Sequence, residues 1–398
     1  MKARILPIGL CFIVVILLQN QLHSQIITKV AGIYAAGIGG PASQGQIFQL
    51  RGTGFDSTGS LLFCEANYIR RIDSKTGILT NFAGTGAVAL SGDGGLAINA
   101  SFASISSFTT DKKGNCYLID ANTVRKITAT TGIVTTIAGL TVSGYSGDGG
   151  PASAAQFTSI AAIDIDAAGN IYLLDRGVGV VRKIAASNGI ITTIAGTGVS
   201  GYSGDGALAT TAQFRNPTSI KVDENGNIII ADNNNYRIRR IIAATGIIST
   251  IMGDGTSATA IDGEGGLAAS AKLSQVQYLT NDKFNNIYFI TGGMFIRKIN
   301  STTGIVSTIV GLNGTCGTGF CGDGGLSNEA GLNNPYSCAL DSLGNLFIAD
   351  RLNYRIRKVD AITQIINTIA GIPEEIAEDV SLVVCPTPSL TDSLRFPS

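Results

Sequence analysis

The chain has 398 residues, 44% of them apolar and 14% charged, with 51 glycines and a formal charge of zero. That balance is too apolar for a disordered chain and long enough for a large core. In the first 24 residues, Lys2 and Arg4 precede an apolar run from Ile8 to Leu18, which polar residues and Ser24 follow. This is the pattern of a secretory signal peptide cleaved after Ser24, since the run is short of the roughly 20 residues a membrane span needs. The expectation is therefore an exported chain, extracellular, periplasmic or at the cell surface, with no membrane span after cleavage.

Cleavage at that point leaves 26 basic and 28 acidic residues, a net charge of −2, and removes His23, the one histidine. Without histidine there is no Ser-His-Asp or Cys-His nucleophile, no imidazole base and no histidine-held zinc. A near-neutral exported chain also argues against a nucleic-acid partner.

Beyond the leader, the segments TKVAG, TNFAG, TTIAG, TTIAG, STIMG, STIVG and NTIAG end at Gly32, Gly84, Gly139, Gly196, Gly253, Gly311 and Gly371. Their spacings of 52, 55, 57, 57, 58 and 60 residues define six units. A period of this length means a repeat architecture. Between Thr136 and Gly196 a glycine-rich connection leads to the alternating run SIAAIDID, then IYLLD, VVRKIA and IITTIAG, separated by the turns AAGN and ASNG and one loop. Four short β-branched runs with such turns predict a four-stranded antiparallel meander, and nothing in the unit has helical period. Six copies predict an all-β fold, a six-bladed β-propeller of four-stranded antiparallel blades; a linear solenoid would have shorter units with parallel strands. Seven marker strands for six sets of the others leave either Ile26 to Gly32 or Ile365 to Gly371 to close the ring.

The stretches ADNNNYRIRR, Ala231 to Arg240, and ADRLNYRIRK, Ala349 to Lys358, resemble the NHL repeat, in the long bacterial secreted form with a GYSGDGGPA connection. The resemblance covers about Ile26 to Gly371 and implies the propeller most directly. Function follows less directly, because NHL-type propellers include protein-binding, RNA-binding, sensor and lyase members. The domain organisation expected is 1–24 signal peptide, 25–371 propeller and 372–398 an acidic linker and tail. LVVCPTPSLTDSLRF in that tail resembles the start of a type IX secretion sorting domain, with Cys385-Pro386-Thr387-Pro388 in place of Tyr-Pro-Asn-Pro.

The second strand of each unit ends in Glu65, Asp120, Asp175, Asp232, Thr291 or Asp350, and Arg70, Arg125, Arg182, Arg239, Arg297 or Arg357 follows. In the pairs Asp175 and Arg182, Asp232 and Arg239, and Asp350 and Arg357 the spacing is seven, which predicts structural ion pairs across a hairpin. The sharper alternative is a ring of arginines facing an anionic ligand.

The connection GYSGDGGPASAAQF, Gly144 to Phe157, recurs with one acid per copy: Asp93, Asp148, Asp205, Glu264 or Asp323. Calcium needs 6 to 8 oxygens, so a site at Asp93, Asp148, Asp205 or Asp323 would need carbonyls and water to complete it. The structural reading makes the acid a turn-former that accepts neighbouring backbone N–H groups and staples one blade to the next. GTGFCG, Gly317 to Gly322, matches a nucleotide-binding pattern but has no helix to open. These long connections and the loops after the second strands are expected on one face, which gathers Tyr145, Asp148, Asp175, Tyr202, Asp205, Tyr236, Asp323 and Tyr354 as candidate ligand contacts. Cys64, Cys116 and Cys338 read as buried small hydrophobes, and Cys316 and Cys321 are close enough to form a local disulfide.

The function expected is a non-catalytic scaffold that binds a protein, peptide or other extended extracellular ligand on the long-loop face, without a cofactor unless calcium binds. The alternative is a metal-dependent lactonase- or lyase-like enzyme with its site in the central channel. Carbohydrate binding is weakened by the absence of tryptophan.

Overall fold

In the computed structural model, which describes residues 37–257, 262–311 and 319–371, six four-stranded antiparallel sheets follow one another in chain order. Blades 1 to 6 span 50–83, 105–138, 160–195, 219–252, 276–310 and 337–370. Blade 3 is typical: its inner strand is Ile160–Ile165, its second Ile171–Asp175, its third Val180–Ile184 and its outer strand Ile191–Ala195. Among the described residues no helix is long and apolar enough to cross a membrane.

The burial pattern explains why these segments are strands. All five residues of Leu61–Glu65, Cys116–Asp120, Ile171–Asp175, Ile228–Asp232 and Ile287–Thr291 are buried, because a neighbouring blade covers each face of the sheet. The outer strands are instead buried only at their two ends, Ile191–Ala195 reading buried, exposed, intermediate, intermediate, buried. Turns are set by short side chains. Asp166 accepts the N–H groups of Ala168 and Asn170, each at 2.9 Å, and the amide of Asn170 at 2.7 Å, so the inner strand turns into the second.

The apolar residues form six clusters, each between adjacent blades. Between blades 2 and 3, Tyr117, Ile119 and Val124 meet Ile163, Leu173 and Ile184, with Phe157 of the connection between them. Phe102 and Phe214 occupy the same place in the flanking connections, with Leu273, Leu332 and Ile47 in the other three.

Of the two candidates for ring closure, one lies within the described residues. Ile366–Ala370 is the outer strand of blade 6, so every blade is built from contiguous chain; Ile26 to Gly32 lies outside the described residues. Closure comes from the segment before blade 1. Gly371 N–H donates to Ala42 O at 3.3 Å, and Ala42, Ile47 and Leu50 pack with Ala349, Ile356 and Ala370. The expected signal peptide and the tail from 372 also lie outside the described residues.

Phe157→Ala removes a fully buried ring from one such interface. It is expected to cost about 3–5 kcal/mol of unfolding free energy, and denaturant titration of the two chains measures it.

Candidate functional site

Blades that pack face to face around an axis diverge with radius, leaving a wedge between their outer strands. The glycine-rich connections fill it. We call upper the face where the second strands end and the connections leave. From Gly139 the chain turns down between blades 2 and 3, with Ser146 bridged to Gln156 in a hairpin. It reaches the lower end of blade 3's outer strand, where Gly149 N–H donates to Ile191 O at 2.8 Å and Ile191 N–H to Gly150 O at 3.0 Å. Gly139 N–H, still on blade 2, donates to Ala152 O at 3.0 Å, so one segment is bonded to both blades. Gly147 has φ +95°, and a Cβ there would meet Ala155 Cα at 2.7 Å, which is why the hairpin needs glycine at that position.

This arrangement corrects the expectation that the connections gather on one face: they are folded into the sides of the ring. It also corrects the role of the acid. Asp148 does not accept N–H groups one or two residues on. Its Oδ1 binds the Arg182 guanidinium at 2.6 Å and its Oδ2 accepts the N–H of Thr193, an outer-strand donor, at 2.9 Å. The free edge of the blade is thereby blunted. Arg182 is completely buried, and Ser146 O and Gln156 O take two further donors at 2.8 and 2.9 Å, while Tyr145 and Phe157 lie over it at 5.3 and 5.0 Å.

The same latch recurs as Arg125–Asp93 at 2.6 Å, Arg239–Asp205 at 2.6 Å, Arg297–Glu264 at 3.2 Å and Arg357–Asp323 at 2.8 Å. The predicted pairing of Arg182 with Asp175 is therefore wrong in its partner. Asp175 is turned to the N–H groups of Thr158 and Ser159 at 3.0 and 2.9 Å. Register is not the reason, since Arg182 stands opposite Leu173 just as Arg239 stands opposite Ile230; the difference is Thr158, whose N–H and hydroxyl take the two oxygens of Asp175. Asp232 and Asp350 do reach Arg239 and Arg357, at 3.6 and 3.9 Å, but as second partners behind the wedge acids.

Of the residues proposed for a ligand face, Tyr145 is bonded to Thr193 at 2.7 Å and Tyr202 to Asp205 at 2.9 Å. Tyr236 and Tyr354 take left-handed backbone at φ 51° and 53°, and the Tyr354 ring packs on Phe48. Asp93, Asp148, Asp205 and Asp323 sit in four different wedges, each committed to an arginine and a backbone N–H. Among the described residues no group of three or more His, Cys, Asp or Glu is placed to hold a metal. Cys321 is disulfide-bonded; Cys316, its expected partner, lies outside the described residues, as do Gly317 and Thr318 of the Gly317 to Gly322 stretch. Cys64, Cys116 and Cys338 are buried free thiols, as expected.

Two cavities line the central channel. The lower, about 610 Å³, holds a self-satisfied polar cluster: Asp164 binds Lys221 Nζ at 2.8 Å, the Thr109 hydroxyl at 3.0 Å and Val222 N–H at 2.7 Å. The upper, about 340 Å³, is lined by Arg176, Arg351, Tyr278, Tyr336, Gln277 and several serines, with no carboxylate. Arg176 comes from blade 3 and Arg351 from blade 6, on opposite sides of the ring. Neither guanidinium has an ion pair among the described residues, although Arg351 lies over the Tyr336 ring at 5.6 Å. Tyr278 lines both cavities, and its hydroxyl makes no hydrogen bond among the described residues. The inner strands of blades 2, 3, 4 and 6 carry Ser107, Ala162, Ser219 and Ser337 at its register position, so the one large ring occupies space that small residues leave open. Sequence reasoning passed over these channel residues. Their signal was departure from the repeat rather than membership of it.

The architecture defines the protein as a six-bladed β-propeller. A family model described as NHL repeat matches residues 214–241, which run from Phe214 of a wedge through the first three strands of blade 4. Teneurin-1 of Gallus gallus is 31% identical over 242 residues, 54% of this chain and 8% of that protein, so the chain spans less than a tenth of the curated relatives it matches. A Bacteroides thetaiotaomicron protein of unknown function superposes with a TM-score of 0.58 at 21% identity, over 80% of this chain and 71% of that one. A protein of the same organism described as an auxiliary nutrient binding protein gives 0.57 at 16%, over 82% and 70%. At these identities the likeness to the solved structures is one of fold.

Electrostatics separates two sets of acids. Burial opposes ionisation at Asp148 and Asp205, yet hydrogen bonds from Thr193 and Thr250 and from the arginines bring both below the usual carboxylate range; Asp93 and Glu264 follow the same rule. Burial prevails at Asp232 and Asp350, pushing each up to about 6. The first set stabilises the fold above the unfolded pKa and loses that contribution as pH falls from about 4 through the depressed folded values. The second set binds protons more tightly folded than unfolded, so stability declines as pH rises from about 4 through about 6. Tm is therefore expected to peak at roughly pH 4 to 5. A Tm that climbs steadily to pH 7 in calorimetric scans would contradict these assignments.

Proposed function

We infer that the chain is an exported, non-catalytic propeller that binds an extended extracellular ligand, a protein or peptide, over the upper mouth of its channel. The observation that carries this reading is the composition of that mouth among the described residues: two guanidiniums from opposite blades without an ion pair, a phenol without a hydrogen bond in the same cavity, and no carboxylate. Such a surface favours a ligand segment bearing acceptor groups or negative charge, since Arg forms its strongest hydrogen bonds to carboxylates. A rigid ring holding both arginines suits binding without rearrangement. The description of one solved relative in fold as a nutrient-binding protein agrees with a binding role.

The test is affinity capture from the surrounding extracellular fraction with the wild-type propeller and with Arg176→Ala/Arg351→Ala. Loss of both guanidiniums is expected to weaken the captured partner by about tenfold or more at unchanged Tm. Equal capture by the two proteins would remove the upper mouth from the function.

A further inference from the structure

We propose a second ligand site, in the crevice between blades 4 and 5 on the lower face, which takes a free carboxylate carried on an apolar group. It is independent of the upper mouth. The residue following the latch arginine in each unit is basic: Arg71, Lys126, Lys183, Arg240, Lys298 and Lys358. Five of the six are satisfied within the blade. The four lysines lie 5.4–5.7 Å over the rings of Tyr117, Tyr172, Tyr288 and Phe347, each directly opposite on the second strand. Arg71 instead pairs with Asp56 at 2.8 Å and Asp73 at 3.0 Å.

Arg240 has neither solution. The residue opposite it is Ile229. Asp223, the counterpart of Asp56, is engaged by the N–H groups of Asn225 and Asn227 at 2.9 and 2.8 Å and by the Asn227 amide at 2.9 Å. Among the described residues Arg240 makes no hydrogen bond or ion pair, and its Nε is buried without a partner. A buried donor in that state costs stability unless something outside the blade accepts from it.

The guanidinium lines a cavity of about 510 Å³, within the range of small-ligand sites. Its apolar side is formed by Ile251, Leu267 and Phe284, the last two 58% and 67% exposed. Its polar side includes Asn285 and Asn300. The Oδ1 of Asn285 accepts Glu224 N–H at 3.0 Å, and the Oδ1 of Asn300 accepts the N–H groups of Thr302 and Thr303 at 3.0 and 2.9 Å. Their NδH2 ends are thereby left for a ligand. Asp223 and Asn225 also line the crevice; the Asp223 carboxylate is held by the three donors named above, and the Asn225 amide has both donors and an acceptor to offer. The one charged group there without a partner among the described residues is Arg240, beside exposed aromatic and aliphatic surface. A peptide C-terminus ending in an apolar residue has that complementary chemistry.

The probe is N-acetyl-phenylalanine with a free carboxylate, titrated into the propeller and followed by NMR, against its amide and against phenyl phosphate. The free acid is expected to bind at the crevice, with the amide at least about tenfold weaker. Arg240→Leu is expected to weaken the acid by at least about tenfold while leaving Tm unchanged or raised, and Arg176→Ala/Arg351→Ala to bind it as the wild type does. The proposal is overturned by absence of binding, by equal binding of acid and amide, by tighter binding of phenyl phosphate, or by wild-type binding in Arg240→Leu. A drop in Tm in Arg240→Leu as large as in Arg71→Leu would overturn it as well, since Arg240 would then be a structural cation.

Discussion

The structure depends on six buried arginines, one in the third strand of each blade, and on the acid that each must have. A guanidinium with no solvent contact is tolerated only when its charge and donors are answered, and removing one partner of such a pair is costed at about 3–5 kcal/mol. In five blades the answering acid arrives from the wedge connection, so the ion pair is also the bond between a blade and the chain that enters it. Latch, edge protection and inter-blade staple are one interaction, because the same carboxylate that binds Arg182 also caps Thr193.

Two blades depart from the pattern in ways that obey this constraint. Blade 1 has Ile38 where the others have the wedge acid, and its second strand ends in Glu65 instead of Asp; the extra methylene lets Glu65 bind Arg70 directly. Blade 5 has Thr291 where the second acid belongs, and its wedge acid is the longer Glu264, bound to Arg297 and to Thr308 N–H. Each arginine keeps a carboxylate although the residue that supplies it changes. The consequence for function is subtractive. The repeated polar residues serve the ring itself, and what remains for a ligand are the residues that break the repeat: Tyr278, Arg176 and Arg351 at the upper mouth, and Arg240 below.

Much of the fold was legible in the sequence because a propeller writes itself as periodicity. The marker spacing, the turn residues and the four β-branched runs per unit identify strand count, blade count and order. Which acid meets which arginine was not legible. Spacing suggested Asp175 for Arg182, but Thr158 of the connection takes both oxygens of Asp175, and the true partner, Asp148, lies 34 residues earlier in a hairpin whose path spacing does not reveal. The same blindness placed the long connections on a face, because loop length does not say whether a loop projects or folds back. The channel residues were hidden for a different reason: Tyr278 occupies an ordinary alternating position in its strand, and only the register across blades shows that its counterparts are small.

The most direct test of the latch uses blade 1, where the acid has moved. Glu65→Gln leaves Arg70 without its carboxylate, and unfolding titrations are expected to show a loss of about 3 kcal/mol or more. Adding Ile38→Asp to that variant restores the arrangement of the other blades and is expected to recover most of the loss, a positive coupling in a double-mutant cycle. If Ile38→Asp instead destabilises the wild type and the Glu65→Gln chain equally, the arginine does not draw on a wedge acid, and the account of the ring is wrong.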